Sequence, residues 1–352
     1  MDNFEKFDVA VVGAGVIGLA VALRARQAGM SVVVIDRDIP GRGTSWAAAG
    51  MIAPVSEADP AEPELLELLL RSAALWPAFA AELKQLSGID PEFRDCGTLL
   101  VARDRDGAEE IEREAEIRAR LGFEIERLLP SAARALEPAL APTVRLAASL
   151  PGDHGVHPRR VIEGLVGACE DAGVRFERAD VADPDELRSG RVVLARGAWS
   201  GAPVRPVKGQ ALLLRDPTGS GLLGRVLRFD GGYIVPRETG RYYLGATVEE
   251  KGFDLTPTAL GIYELLRDCA EVLPGVLELE IEELVCGLRP GTPDNAPVIG
   301  PDPADPRVVW ATGHYRHGIV LAPVTADLVV AVLTGVGPEH DFGPARFAKA
   351  AA

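Results

Sequence analysis

Gly13-Ala14-Gly15-Val16-Ile17-Gly18 lies between the apolar run Phe7 to Val12 and a helix-forming stretch that reaches about Ala28. A valine-rich run, Ser31 to Ile35, follows at once. Strand, glycine turn, helix and strand in that order form a βαβ unit, which commits the amino terminus to a parallel sheet with a helix across it. Each glycine of G-x-G-x-x-G has its own role. The first makes the tight turn, the second lets backbone approach a pyrophosphate, and the third lets helix pack on sheet. The helix N-terminus then faces the phosphates. Asp36 ends the second strand, where a carboxylate accepts from a ribose hydroxyl. An acid there favours a free 2′-hydroxyl, so the pattern points to FAD or NAD and away from NADP.

The rest of the chain is large enough to use such a unit. Its 352 residues are 47% hydrophobic and 25% charged, which suffices for a substantial core. The net charge is −15, with the acids spread along the whole chain, so nucleic acid and anionic membrane surfaces are disfavoured as partners. Of the basic residues, 32 are arginine and five are lysine. A single arginine is therefore informative only through its surroundings. Cys96, Cys169, Cys269 and Cys286 form no CxxC pair and no Cys/His ligand pattern, which reads as free thiols of a reducing cytoplasm. The run Val9 to Leu23 is preceded by Asp2, Glu5 and Asp8 and does not read as an export signal. Ile319 to Val336 is the most apolar stretch, but Pro323 and Asp327 interrupt it; it reads as a buried helix and no membrane span. His154, His157, His314, His317 and His340 offer no Ser/His/Asp or metal spacing, so hydrolase and metalloenzyme chemistry lack support.

Further along, a small-residue run from Thr44 to Met51 precedes an acidic, proline-containing loop, Ser56 to Pro63, whose composition suits a lid. A long amphipathic helix follows, with Leu65, Leu68, Leu69, Leu75 and Trp76. Strands are expected at Gly97 to Ala102, Val192 to Ala195, Gln210 to Arg215, Val226 to Phe229, Tyr233 to Pro236, Tyr242 to Leu244, Glu280 to Cys286 and Val308 to Ala311. Helices are expected at Asp106 to Leu121, Pro158 to Gly173 and Thr256 to Leu273. With α/β segments at both ends and a β-rich middle, the order predicts an α/β protein. It has a discontinuous Rossmann-like FAD-binding domain and an inserted antiparallel-sheet substrate domain. The expected boundaries are 1–85, 150–205 and 295–352 for the first and 86–149 and 206–294 for the second.

The later motifs favour FAD over NAD. Trp310 to Ile319 reads as strand, glycine-bearing turn and helix, whose positive dipole end could meet the flavin N1/C2 carbonyl, where charge gathers on reduction. In Gly43-Thr44-Ser45-Trp46-Ala47-Ala48-Ala49-Gly50-Met51 the hydroxyls could meet phosphate or ribitol while Ala49, Gly50 and Met51 lie against the ring. These runs, with Gly232-Tyr233-Ile234-Val235-Pro236-Arg237, Gly287-Leu288-Arg289-Pro290-Gly291-Thr292 and Gly313-His314-Tyr315-Arg316-His317-Gly318-Ile319, fall in one order over most of the chain. In that order the sequence resembles the D-amino-acid oxidase superfamily of FAD enzymes, and within it the glycine oxidase branch of the thiamine pathway.

The resemblance implies that Arg289 clamps a substrate carboxylate, that Tyr233 donates to it, and that Arg316 sits beside substrate and flavin. A guanidinium fork matches a carboxylate in a way that lysine cannot. Around FAD it implies Gly13, Gly15, Val16, Ile17, Gly18, Asp36, Arg37, Thr44, Ser45, Ala49, Gly50, Met51 and Val181, and from the last turn His314, Tyr315, Arg316, His317, Gly318, Ile319 and Val320. The implied reaction is oxidative deamination of glycine and small amines or D-amino acids; the alternatives are a D-amino-acid or sarcosine oxidase or dehydrogenase of the same superfamily, or a non-catalytic flavin-binding protein. Hydride passes from Cα to flavin N5 without an obligatory side-chain base, and O2 is reduced to hydrogen peroxide. The imine goes to glyoxylate or to thiazole synthesis, which makes thiazole synthase pathway proteins candidate partners; relatives are often homo-oligomers. Three departures stand out. Only 13 residues, Ala179 to Arg191, replace extra strands beside the cofactor domain, which bears on the backbone contact expected at Val181. Gly231 stands where some relatives carry histidine, and Val248 where some carry methionine. Related sarcosine oxidases attach flavin through a cysteine; Cys286 is near, but its Gly-Leu-Arg-Pro-Gly-Thr context is that of glycine oxidase, so FAD is expected to be non-covalent.

Overall fold

The computed structural model describes residues 7–57, 59, 61–201, 203–219, 221–336 and 340–348; Asp2, Glu5 and part of the acidic loop lie outside that range. Its first sheet has six strands in the order Val298–Pro301, Val308–Thr312, Arg191–Leu194, Val9–Val12, Val32–Asp36 and Arg175–Arg178. All neighbours are parallel except the first pair. The central strand is the first of the chain, and its four residues are all buried, as a strand covered on both faces requires. Helices Val16–Gln27, Pro63–Ser87, Pro158–Asp171 and Ala322–Thr334 contribute to the core on one side. On the other, Val181 and Leu187 of the short connection pack with Val12, Ile35 and Leu194. That connection contains a 3-10 turn, Pro184–Glu186, capped by Asp183, and Arg307 donates to the Leu187 carbonyl and to Asp185. The short connection is thus a pinned turn.

The second sheet has eight strands, ordered Glu280–Gly291, Arg205–Arg215, Arg241–Gly245, Gly232–Pro236, Val226–Phe229, Thr98–Ala102, Leu146–Leu150 and Glu126–Leu128. It is antiparallel apart from the parallel pair Val226–Phe229 and Thr98–Ala102. The α/β class and the β-rich middle are as expected. Two strands are longer than their local patterns suggest. The last runs on from Cys286 to Gly291 because it pairs with Arg205–Arg215 along its whole length, through one irregularity at Leu213/Leu214. Arg289 therefore lies on a strand, opposite Val207.

Helices differ from expectation at their ends. The apolar helix starts at Ala322, not Ile319, with Pro323 in its first turn, where a missing N–H costs nothing. The Thr256 to Leu273 helix begins at Ala259, because Thr258 caps it by accepting from the Gly261 amide. The segment before it is held off by Lys208, fully buried, which donates to Asp254 at 3.1 Å and to the Thr256 carbonyl at 2.5 Å. Among the described residues no helix is long and apolar enough to cross a membrane, and no cluster of metal-ligating side chains occurs. All four thiols are free.

Candidate active site

One cavity of about 1440 Å³ runs from the glycine turn to the second sheet. That exceeds the roughly 300–1,000 Å³ of ordinary small-ligand sites, so it has room for a dinucleotide and a second molecule. At its first end Gly13 has φ +111, and a Cβ there would meet the Ala195 carbonyl oxygen at 2.3 Å; a Cβ on Gly18 would meet the Gly13 oxygen at 1.9 Å. Only glycine closes this turn. Asp36 accepts from the Ala14 amide at 2.6 Å and fastens the turn to the end of the second strand. Ser45 accepts from the Val16 amide at 3.0 Å, so its hydroxyl stands at the N-terminus of the 12-residue helix, where phosphate would lie. The Thr44 hydroxyl instead donates to the Leu288 carbonyl at 2.6 Å and ties the small-residue run to the last long strand.

Most expected cofactor residues line this cavity: Gly13, Gly15, Val16, Ile17, Asp36, Arg37, Thr44, Ser45, Ala49, Gly50, Met51, Val181, His314, Tyr315, Arg316, Gly318 and Ile319. Gly18, His317 and Val320 stand behind its wall. The Val320 carbonyl accepts from Ser72 at 2.6 Å and from Trp76 at 2.9 Å, which anchors the final turn on the long helix. His314 is buried against Thr325 at 3.0 Å, and burial pushes its pKa down to about 3; burial likewise takes His317 to about 4. Burial thus holds both rings in the neutral form within the final turn. Tyr315 adopts φ +46, and its amide donates to the Pro290 carbonyl at 2.9 Å.

At the far end Arg289, Tyr233 and Arg316 come together on the cavity wall. Arg289 crosses Gly209, where any Cβ would lie 2.5 Å from its Nη1, and donates to the Thr247 carbonyl at 3.0 Å. It lines the cavity with no carboxylate within 4.0 Å among the described residues. Burial raises the Tyr233 pKa against the pull of Arg289, so the phenol stays a neutral donor. Arg316 is exposed at the mouth and stacks on Tyr315 at 4.8 Å.

Several supports are absent from the sequence reading. Tyr243 stacks parallel to Tyr233 with centroids 6.3 Å apart and donates to the Ala47 carbonyl at 2.7 Å. Arg237 donates to the carbonyls of Ala49 and Val156, fixing the small-residue run, and burial lowers its pKa to about 10, so it remains cationic. Glu57 lines the cavity, and its charge acts on Tyr233, Arg316 and His317. Trp199, with Arg37 stacked on it at 4.2 Å, lines the dinucleotide end. Cys286 lines a smaller recess outside the main cavity.

The chain's relationships agree with this geometry. Residues 8–332 match the family described as FAD dependent oxidoreductase, DAO. The chain belongs to this family of FAD-dependent oxidoreductases. The glycine oxidase of Pseudomonas aeruginosa is 32% identical over 97% of this oxidoreductase and 98% of its own length. The bifunctional ThiO/ThiG protein of Synechocystis is 33% identical over 97% of this chain but 54% of its own. The crystal structure of glycine oxidase from Geobacillus kaustophilus superposes with a TM-score of 0.90 at 31% identity, covering 97% of this chain and 98% of that one. FAD is the oxidoreductase's cofactor, and the residues present fit it. The glycine cradle, the amide-bearing helix end, Asp36 and the small-residue run form one continuous wall that ends at Arg289 and Tyr233.

Proposed function

We propose that this enzyme oxidises glycine and other small amino acids with a free or lightly substituted amine. Glycine, oxygen and water would give glyoxylate, ammonia and hydrogen peroxide. The observation that carries this reading is the pairing of Arg289 with Tyr233 at one end of a cavity whose other end is the dinucleotide turn. Bound FAD supplies the two-electron acceptor and the centre at which oxygen is reduced. The chain supplies position. Arg289, held by the Thr247 carbonyl, presents its free edge to the substrate carboxylate, and Tyr233 donates a second hydrogen bond. Tyr243 keeps the Tyr233 ring flat against it, so the substrate is fixed with its Cα toward the cofactor end. The neutral histidines take no proton, and the substrate's own amine lone pair drives the oxidation.

Several finer statements belong to the same reading. FAD is held without a covalent bond, since Cys286 faces another recess. The cofactor domain comprises 1–85, 150–205 and 295–352, and the substrate domain 86–149 and 206–294, in line with the membership of the two sheets. The enzyme acts in the cytoplasm, and its imine product serves a thiazole synthase, a link supported by relatives in which ThiO and ThiG are one polypeptide. The test of the reaction is product stoichiometry. Glycine should yield glyoxylate and peroxide in equal amounts, and the absence of peroxide with glycine, sarcosine and D-alanine alike would overturn the reading.

A further inference from the structure

We propose that the substrate end of the cavity contains a second anion subsite built on Arg228, which favours small amino acids bearing a second carboxylate over their uncharged isosteres. This rests on the reading that Arg289 takes the α-carboxylate. Arg228 stands directly opposite Tyr233 in the antiparallel pair Val226–Phe229 and Gly232–Pro236, so the two side chains share a face. Both line the cavity. One guanidinium N–H of Arg228 donates to the Ser56 carbonyl. Among the described residues no carboxylate lies within 4.0 Å of it.

Neighbouring arginines on the same wall are neutralised. Arg103 has Glu271 at 2.6 Å and Asp268 at 3.6 Å, and Arg267 has Asp268 at 2.9 Å. Asp153, buried behind Arg228, feels its charge, but burial pushes that carboxyl toward its neutral form. Glu57 also lines the cavity, and its charge acts on Arg316 at the mouth. A monocarboxylate substrate held by Arg289 leaves half-buried Arg228 without a carboxylate partner, and a second carboxylate on the substrate supplies one.

The test compares D-aspartate and D-glutamate with D-asparagine and D-glutamine, and N-carboxymethylglycine with N-(carbamoylmethyl)glycine, on the holoenzyme at one pH. Glycine is the reference arm. In at least one pair the acid should exceed its amide by about tenfold or more in kcat/KM, chiefly through KM. Arg228→Gln should bring that ratio close to one, and Arg228→Lys should restore part of it. Equal use of acid and amide in every pair, with glycine oxidised, would overturn the subsite and leave the function standing. The same holds if the preference survives in Arg228→Gln. Failure of glycine itself would overturn both.

Discussion

At the scale of the residue, binding of the substrate carboxylate depends on Arg289. Arg289→Ala removes the partner of a substrate carboxylate in a half-buried site, and KM for glycine should rise by the equivalent of about 2–5 kcal/mol. Steady-state kinetics on the holoenzyme would check this, and Arg289→Lys should recover only a small part, because a single ammonium cannot reproduce the fork. The histidines give a second prediction. His314 and His317 titrate at about 3 and about 4 in the folded chain against an ordinary 6.5. Between those values the unfolded chain binds more protons. Their contribution to stability is therefore whole above pH 6.5 and is lost as pH falls through the window. Thermal melts from pH 7.5 to 4.5 should show Tm falling, and His314→Gln, which can still bond Thr325, should flatten the slope. Arg289 and Tyr233 were legible in sequence because each sits in a distinctive run. Arg228 was not, since one arginine among 32 becomes notable only when register sets it opposite Tyr233 and no acid approaches.

At the scale of the element, the glycine turn is the most constrained. Gly18→Ala would drive a methyl to 1.9 Å from the Gly13 carbonyl oxygen, so the turn must open and purified protein should carry little or no flavin. The ratio of flavin to protein absorbance would measure it, and full flavin content would contradict the geometry. Lys208 offers a test of the second sheet. Lys208→Ala leaves the Thr256 carbonyl and Asp254 without their donor and should cost about 1–3 kcal/mol in urea unfolding. The βαβ unit and most strands could be read from period and turn residues alone. The ends of Glu280–Gly291 could not, because Gly287 and Pro290 look like breakers locally and are overridden by pairing with Arg205–Arg215. The late start of the Ala259 helix has the same origin, a buried lysine that takes over the preceding residues.

At the scale of the whole molecule, the two sheets meet around one cavity, and the cofactor is part of the fold's stability. If FAD is held only by non-covalent contacts, acid precipitation should leave all the flavin in the supernatant, and flavin in the pellet would contradict this. Saturating FAD at 100 times its Kd should stabilise the apoprotein by about 2.7 kcal/mol, seen as a rise in Tm. The division into a parallel and a largely antiparallel sheet was legible from the order of motifs, whereas the pinned turn between Ala179 and Arg191 required the tertiary contacts of Arg307 and Leu187. If the cavity joins an amino acid site to a flavin, the substrate must reduce that flavin directly. The absorbance of the anaerobic holoenzyme is recorded before and after glycine, and again after air is readmitted. Glycine should bleach the oxidised flavin band, and air should restore it rapidly. A band left unchanged by glycine would contradict it.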